Sequence, residues 1–271
     1  TIYQPNIYPE DSYNSAKHSD IQKKYINFLK QRASNNLIIL PETIVPYELL
    51  KINPLYKKLK DTSNKDRIII TGLFTREDKK TFNSMAFFSE NIQVYNKRKL
   101  VPFGEYTPWY NTFIKLAESL DVPLSNLSHG KDDQQDILFK GIRLIPMICF
   151  ESTFPNLVNS RNNRELIINI SNDSWFGNSL APYQHLQISQ IRALEFNRSI
   201  LRATNTGISA VINNNGTVIN YIPNNTEGTI TGTVSINNDR TIYSQYGDIG
   251  ILMLLFLSLL SMVLTRLRNM S

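Results

Sequence analysis

The run Leu144-Ile145-Pro146-Met147-Ile148-Cys149-Phe150-Glu151 is apolar up to a cysteine and then stops at an acid. A short apolar run of this kind predicts a strand that is buried on both faces, as in a parallel sheet. Glu151, Ser152 and Pro155 break the pattern, and a side chain at such a strand end can leave the core and reach a cleft. Cys149 is therefore either a small buried hydrophobe, the commoner role of a lone cysteine, or a nucleophile.

Strands and helices are predicted on both sides of this run. Apolar patterns predict strands at 36–41, 67–74, 141–149, 166–170 and 228–236, and hairpins at 84–95 and 208–221. Amphipathic spacing predicts helices at 17–34, 47–59 (broken near Pro54) and 180–198. This mixture indicates a layered α/β (α+β) fold, in which helices pack on sheets and several strands are buried on both faces.

Length and composition favour one globular domain followed by a special segment. The chain has 271 residues, of which 41% are hydrophobic and 19% are charged, and this excludes a disordered tail. We expect a catalytic domain over 1–240 and a separate segment over 241–271. Residues 2–6 resemble the tail of a first strand, so we expect this sequence to be either the C-terminal part of a longer chain or a truncated product.

Charge and residue types argue against several kinds of partner. The net charge of +6 comes from scattered Lys and Arg residues without a nucleic-acid-binding motif, so no nucleic-acid partner is expected. One cysteine excludes an internal disulfide framework and a multi-cysteine zinc site. His18, His129 and His185 are scattered and no glycine-rich phosphate loop is present, so neither a metal nor another cofactor is predicted.

The run at 249–264 carries no charge, and Thr265 extends it to 17 residues. That length is at the lower edge of the roughly 17–25 residues that cross a bilayer as a helix. A buried core helix is the alternative. Arg266 and Arg268 follow directly, and the positive-inside rule would place them on the cytoplasmic side, with the preceding domain on the opposite face.

Glu42 and Lys97 could provide the base and the cation that a nucleophilic cysteine needs. Glu42 follows a predicted strand and Pro41, where partial desolvation can make a carboxylate more basic. A helix N-terminal acid is the competing interpretation of Glu42. Lys97 lies in a basic triplet, which is usually a solvated strand end, but Glu105 could pair with its ammonium group and hold it beside a reacting carbonyl.

Five stretches, taken in order, resemble the nitrilase (carbon–nitrogen hydrolase) superfamily. They are Leu40-Pro41-Glu42-Thr43, Tyr95-Asn96-Lys97 with 100–106, Ile148-Cys149-Phe150-Glu151, Asn172-Asp173-Ser174-Trp175-Phe176-Gly177 and Arg202-Ala203-Thr204-Asn205-Thr206-Gly207. Within it the sequence is most similar to the apolipoprotein N-acyltransferase family, whose C-terminal portion it would represent. Thr153 stands where amidases of the superfamily tend to carry arginine, and Phe150 stands where the acyltransferase family often has tyrosine.

The resemblance implies an αββα sandwich of two sheets between helix layers, and a Glu42–Lys97–Cys149 triad. It implies that Glu105 orients Lys97, that Glu151 shapes the charge near Cys149, and that Asn83 lies near the site. Trp175 would line the pocket or pack over the cysteine. Three aromatic residues would suit an arm at the membrane surface, with ordinary core packing as the alternative, namely Trp109, Tyr110 and Phe113.

The implied reaction is transfer of the sn-1 acyl chain of a phospholipid, through a thioester on Cys149, to the N-terminal amine of a diacylated apolipoprotein. The expected location is the bacterial inner membrane, with the catalytic domain on the periplasmic face. Two alternatives remain open. One is a carbon–nitrogen hydrolase that cleaves a small amide or nitrile, and the other is a non-catalytic remnant of the family.

Overall fold

Two six-stranded sheets form the body of the computed structural model, which describes residues 1–32, 36–108, 126–158 and 164–269. The first sheet has the order β12-β1-β2-β3-β4-β5, where these strands are β1 (Ile2–Gln4), β2 (Leu37–Ile39), β3 (Ile68–Glu77), β4 (Lys80–Phe88), β5 (Gln93–Asn96) and β12 (Gly228–Ile230). Its strands β1, β2 and β3 are parallel, and the other pairs are antiparallel.

The second sheet repeats this plan around the cysteine strand. Its order is β11-β10-β9-β8-β7-β6, where these strands are β6 (Ile137–Phe139), β7 (Ile142–Ile148), β8 (Glu165–Ser171), β9 (Ile200–Thr204), β10 (Ser209–Ile212) and β11 (Val218–Ile222). Strands β7, β8 and β9 run parallel, so their carboxyl ends meet at one edge of the sheet. Cys149 follows β7 directly and therefore lies at that edge.

The described residues include six α-helices. They are α1 (Pro9–Ser12), α2 (His18–Gln31), α3 (Pro54–Thr62), α4 (Ala181–Phe196), α5 (Ile242–Tyr246) and α6 (Ile249–Arg268). Helices α2 and α3 pack on the first sheet, and α4 packs on the second. The order helix, sheet, sheet, helix confirms the predicted αββα sandwich.

Strand β7 is apolar from Leu144 to Ile148, because both of its faces are buried there. Its second residue is Arg143, which pairs with Asp136 and Glu165. Leu144 and Ile148 point into the core between the two sheets, whereas Ile145 and Met147 pack under α4 on the outer side. Side chains alternate between the faces of a strand, so burial on both faces removes the usual polar alternation. The continuous apolar run in the sequence was therefore a correct indication of a central strand.

Several predicted elements have different bounds in the structure. The helix predicted at 47–59 was wrong in its first half, because α3 begins at Pro54 and the side chain of Asn53 caps it by accepting from the Leu55 amide. Proline fits the first turn of a helix, where its missing amide hydrogen costs nothing. The last strand ends at Ile230 instead of 236.

Helix α6 is long and apolar enough to cross a membrane. It has 20 residues with a mean hydropathy of 2.2, and none of its apolar window is buried. The structure therefore does not support the alternative of a core helix. Helix α6 is a candidate membrane span on the grounds of length and composition.

Candidate active site

Glu42, Lys97 and Cys149 come from three strand ends. Glu42 follows β2, Lys97 follows β5, and Cys149 follows β7. Lys97 Nζ lies 3.3 Å from Glu42 Oε1, and both charged groups are close enough to Cys149 to shift the pKa of its thiol. The structure thus brings together the three residues that the resemblance implied as a triad, across both sheets of the sandwich.

Glu42 is buried and is held at both carboxylate oxygens. Its Oε1 accepts from Asn83 Nδ2 at 2.7 Å as well as from Lys97, and its Oε2 accepts from the Asn172 backbone amide at 2.7 Å. It lies in the loop between β2 and α3, well before the start of that helix at Pro54, so the interpretation as a helix N-terminal acid was wrong. Fixed hydrogen bonds leave this carboxylate with one orientation, which suits a base.

Lys97 is paired with two carboxylates. Its ammonium group donates to Glu105 Oε1 at 2.9 Å and to Glu42 Oε1, and only 1% of its side chain is exposed. Burial alone would lower the pKa of Lys97, but Glu42, the Cys149 thiol and Glu105 outweigh burial and raise it well above its usual range. Lys97 is therefore a permanent cation, and Glu105 lies where it can orient it.

Asn83, on the inner face of β4, joins the two carboxylates. Its Nδ2 donates to Glu42 at 2.7 Å and to Glu105 at 2.6 Å. Its Oδ1 is buried and has no hydrogen-bond partner within the part of the chain that the structure describes. The amide therefore shares with Lys97 the task of keeping two acids close together.

Cys149 has an unusual backbone. Its φ is +50°, in the left-handed region that non-glycine residues seldom adopt and that costs energy when they do. The residue is half-buried, and the Ser171 side chain lies close enough to its sulfur to affect the pKa of the thiol. Burial and the Glu42 carboxylate raise the pKa of the thiol to about 12, although Lys97 and Ser171 oppose this. At neutral pH the sulfur therefore carries a proton that a base must remove.

Glu151 supports the turn that contains Cys149. Its Oε2 accepts from the Ile148 amide at 2.8 Å, and its Oε1 accepts from Tyr95 Oη at 2.8 Å and the Arg98 amide at 2.7 Å. Burial raises the pKa of this carboxyl, against the opposing effects of the Ile148 amide and Lys97. Glu151 thus joins the end of β7 to the end of β5. The prediction had given it only an influence on the charge near Cys149, and these hydrogen bonds add a structural role.

The aromatic residues near the site differ from the expectation. Trp175 has 73% of its surface exposed, so it does not pack over the cysteine as one of the two predicted roles required. Trp109, Tyr110 and Phe113 lie outside the described residues. Leu180 and Tyr183, around the start of α4, are also exposed.

Three buried charged residues near the cysteine had no predicted role. Asp173 accepts from Arg202 Nη2 at 2.8 Å and from Ser171 Oγ at 2.6 Å, and it lies 3.0 Å from His185 Nδ1. Asp173 and Arg202 belong to stretches that carried the resemblance, and that was the only signal for them. Among the described residues, no three His, Cys, Asp or Glu side chains are grouped as metal ligands would be.

Gly72 allows Glu42 to lie where it does. A Cβ on Gly72 would be 2.4 Å from Glu42 Cα and 2.6 Å from the Thr43 nitrogen, and both are backbone atoms. We expect Gly72→Ala to lower the free energy of unfolding by about 1–3 kcal/mol, since the loop that carries Glu42 must shift. Chemical denaturation followed by circular dichroism measures this.

Gly250→Ala is the matched control for that experiment, because nothing lies within 4 Å of a Cβ at this position in α6. Its effect should stay within about 0.5 kcal/mol. Equal stability of the two variants would show that the contact between Gly72 and the Glu42 loop can relax without cost.

Comparison with known proteins agrees with this architecture. The carbon–nitrogen hydrolase family model matches residues 1–241. A carbon–nitrogen hydrolase superfamily protein from Xanthomonas campestris superposes with a TM-score of 0.63 at 18% identity, covering 84% of this chain and 87% of its own. An amidase from Nesterenkonia superposes with a TM-score of 0.55 at 13% identity, over 83% of this chain and 89% of its own. These two similarities concern the fold alone.

Sequence relatives are more specific. An apolipoprotein N-acyltransferase of Haemophilus ducreyi is 32% identical over 260 residues, which are 91% of this chain and 51% of that protein. One from Pseudomonas aeruginosa is 36% identical over 218 residues, which are 78% of this chain and 43% of that protein. The chain thus spans about half the length of the curated relatives it matches. Because the family model covers 1–241 and the αββα sandwich accompanies it, this chain belongs to the carbon–nitrogen hydrolase family.

Proposed function

We propose that this chain is the catalytic part of an apolipoprotein N-acyltransferase with a Glu42–Lys97–Cys149 triad. The observation that supports this most is the buried group of one carboxylate, one ammonium and one thiol at the strand ends. The similarity to relatives of that name and the exposed apolar helix α6 favour a lipid substrate. The division into a catalytic domain over 1–240 and a membrane segment over 241–271 belongs to the same proposal.

The first half-reaction would form a thioester. Glu42 removes the proton from Cys149 Sγ as the sulfur attacks the carbonyl carbon of the sn-1 ester. Lys97 stabilises the negative oxygen of the tetrahedral intermediate. The C–O bond then breaks, and the leaving lysophospholipid oxygen takes the proton from Glu42. Because burial keeps the thiol protonated at neutral pH, the base has to act during the attack.

The second half-reaction would consume the thioester. The α-amine of a diacylglyceryl-cysteine attacks the thioester carbonyl, and Glu42 accepts a proton from the nitrogen. The C–S bond breaks, the sulfur leaves as a thiolate, and Glu42 returns the proton to it. A triacylated lipoprotein is released. The thioester must be kept from water between the two steps, which an apolar, lipid-facing site would achieve.

Exposed apolar side chains support a lipid-facing site. Trp175 and Leu180 are each 73% exposed beside the Cys149 edge, where an acyl chain could lie against them. Arg266 and Arg268 end the apolar helix α6, and the positive-inside rule would place them in the cytoplasm. The catalytic domain would then lie on the periplasmic face of a bacterial inner membrane.

Intact-mass analysis of the chain in phospholipid nanodiscs tests the proposal. With a phospholipid labelled in its sn-1 chain, we expect one acyl-sized mass increase, removed by hydroxylamine and discharged onto a diacylated lipopeptide. The alternative hydrolase would instead release ammonia from a small amide without any acyl adduct. Absence of both, under conditions where iodoacetamide still labels Cys149, would favour a non-catalytic remnant of the family.

A further inference from the structure

His185, on α4, lies directly beneath the turn that carries Cys149. Its ring is buried, with 6% of the residue exposed. Nδ1 lies 3.0 Å from Asp173 Oδ1, and Nε2 lies 3.1 Å from the Cys149 carbonyl oxygen and 3.0 Å from Ser152 Oγ. The proposed mechanism uses none of these contacts, yet one of them reaches the backbone of the nucleophile.

The partners of the ring fix which atoms donate. Burial opposes ionisation of Asp173, but Arg202 and His185 outweigh it and hold the pKa of that carboxyl well below its usual range. An ionised carboxylate and a backbone carbonyl accept hydrogen bonds and cannot donate them. Nδ1 therefore donates to Asp173. A hydrogen bond from Nε2 to the Cys149 carbonyl means that the ring carries both protons, with the Asp173 carboxylate as its counter-ion and Ser152 Oγ as a second acceptor.

The contacts run from the Ser152 hydroxyl to the His185 ring and on to the Asp173 carboxylate, as in the catalytic triad of a serine hydrolase. The Ser152 hydroxyl nevertheless cannot serve as a nucleophile. Only 1% of Ser152 is exposed, and a nucleophile has to reach a substrate carbonyl. One contact of His185 instead reaches the main chain of the Cys149 turn, and a second reaches the Ser152 side chain in the same turn. A role in holding that turn fits the burial better than a second reaction centre.

The Cys149 turn needs such support because its backbone is strained. A φ of +50° at a non-glycine residue persists only when surrounding contacts enforce it. Asp173 also holds a residue beside the sulfur, since its Oδ1 accepts from Ser171 Oγ at 2.6 Å, and Ser171 lies close enough to the thiol to affect its pKa. The Asp173 carboxylate thus joins His185, which contacts the Cys149 carbonyl, to Ser171, which lies near the sulfur.

We propose that His185 is a positioning residue that holds the Cys149 peptide, through Nε2 and the Cys149 carbonyl, in the left-handed conformation that directs the sulfur toward Glu42 and Lys97. His185 acts through the backbone of Cys149 and does not touch substrate. The proposal rests on the proposed function only in so far as Cys149 is the nucleophile. Its main test needs no phospholipid.

Two amide variants separate the two sides of the ring. In His185→Gln the side-chain nitrogen reaches roughly the place of Nε2, so the bond to the Cys149 carbonyl is kept and the bond to Asp173 is lost. In His185→Asn the side-chain nitrogen takes roughly the place of Nδ1, so the bond to Asp173 is kept and the bond to the Cys149 carbonyl is lost. Because Cys149 is the chain's one cysteine, iodoacetamide labelling reports on this thiol alone.

The labelling rate as a function of pH is the first readout. In the wild-type chain, burial together with Glu42 and Asp173 outweighs Lys97 and Ser171, and the pKa of the thiol is raised to about 12. The labelling rate should therefore still rise at about pH 10. In His185→Asn the turn relaxes and water reaches the sulfur, so the midpoint should fall by about one pH unit or more. His185→Gln should keep the wild-type profile.

Acyl transfer is the second readout. His185→Asn should lower kcat by about 100-fold with little change in KM, because a displaced nucleophile slows the chemical step without weakening binding. His185→Gln should stay within about threefold of wild type. If the only role of His185 is to hydrogen-bond Asp173, the kcat of the Asn variant should equal or exceed that of the Gln variant, and the proposal is then wrong. Identical profiles of both variants and wild type would also overturn it.

Discussion

Cys149→Ser is expected to lower acyl transfer by at least about 1,000-fold while the protein stays folded. A serine hydroxyl is a far weaker acid than a thiol, and the thiol here already has its pKa raised to about 12 by burial and Glu42. Glu42 could not remove the hydroxyl proton at a useful rate, and an oxygen ester would replace the thioester. Transfer of a labelled acyl chain from phospholipid to a diacylated lipopeptide measures the loss.

Ser152→Ala is the matched control for that variant. Ser152 lies in the same turn and is buried, but its hydroxyl contacts His185 and not the proposed reacting atoms. We expect its transfer activity to stay within about tenfold of the wild-type activity. Equal loss in both variants would mean that the turn is merely sensitive to change, and full activity of Cys149→Ser would exclude a thioester mechanism.

The layered fold was predictable from the sequence, because a strand that is buried on both faces consists of consecutive apolar residues. Ile145 and Met147 face α4 while Leu144 and Ile148 face the opposite sheet, and this two-sided burial produced the apolar run. Strand β9 (Ile200–Thr204) was not predicted, since the buried charge of Arg202 interrupts its apolar pattern. A charged residue buried by a partner far along the chain looks like a surface residue in the sequence.

The site was predictable only where a motif marked it. Glu42, Lys97 and Cys149 lie in stretches that resemble a known superfamily, and the structure places them together, while their catalytic roles stay a prediction. His185 was assigned no role, because its partners Asp173 and Cys149 are 12 and 36 residues away. A contact between a helix side chain and the carbonyl of a turn depends on packing, and no periodicity in the sequence reports it.

Lys97→Met is expected to have the second large effect, and it should act on both activity and stability. Lys97 is 1% exposed between Glu42 and Glu105, and methionine keeps its apolar length without the charge. Losing the cation should slow acyl transfer by about 100- to 1,000-fold, as for the loss of an oxyanion donor. It should also lower the free energy of unfolding by about 3–5 kcal/mol near neutral pH, since two buried carboxylates lose their counter-ion.

Removal of one of the two acids distinguishes this electrostatic effect from poor packing. In the wild-type protein, the neighbouring acids raise the pKa of Lys97 above its ordinary value of 10.5, so its contribution is complete below that pH and is lost only in stronger alkali. In Lys97→Met the two carboxylates lose their shared cation, so a second substitution, Glu105→Gln, should recover part of the lost stability near neutral pH by removing their repulsion.

Lys99→Met provides the control for that comparison. Its ammonium group lies 5.8 Å from the centre of the Phe154 ring, outside the group around Cys149, and its loss should cost no more than about 1 kcal/mol. Urea denaturation of the wild type and of all three variants near neutral pH gives the free energies. If Glu105→Gln recovered no stability in the Lys97→Met background, the two carboxylates would not be repelling each other, and the assignment of Lys97 as their shared counter-ion would be wrong.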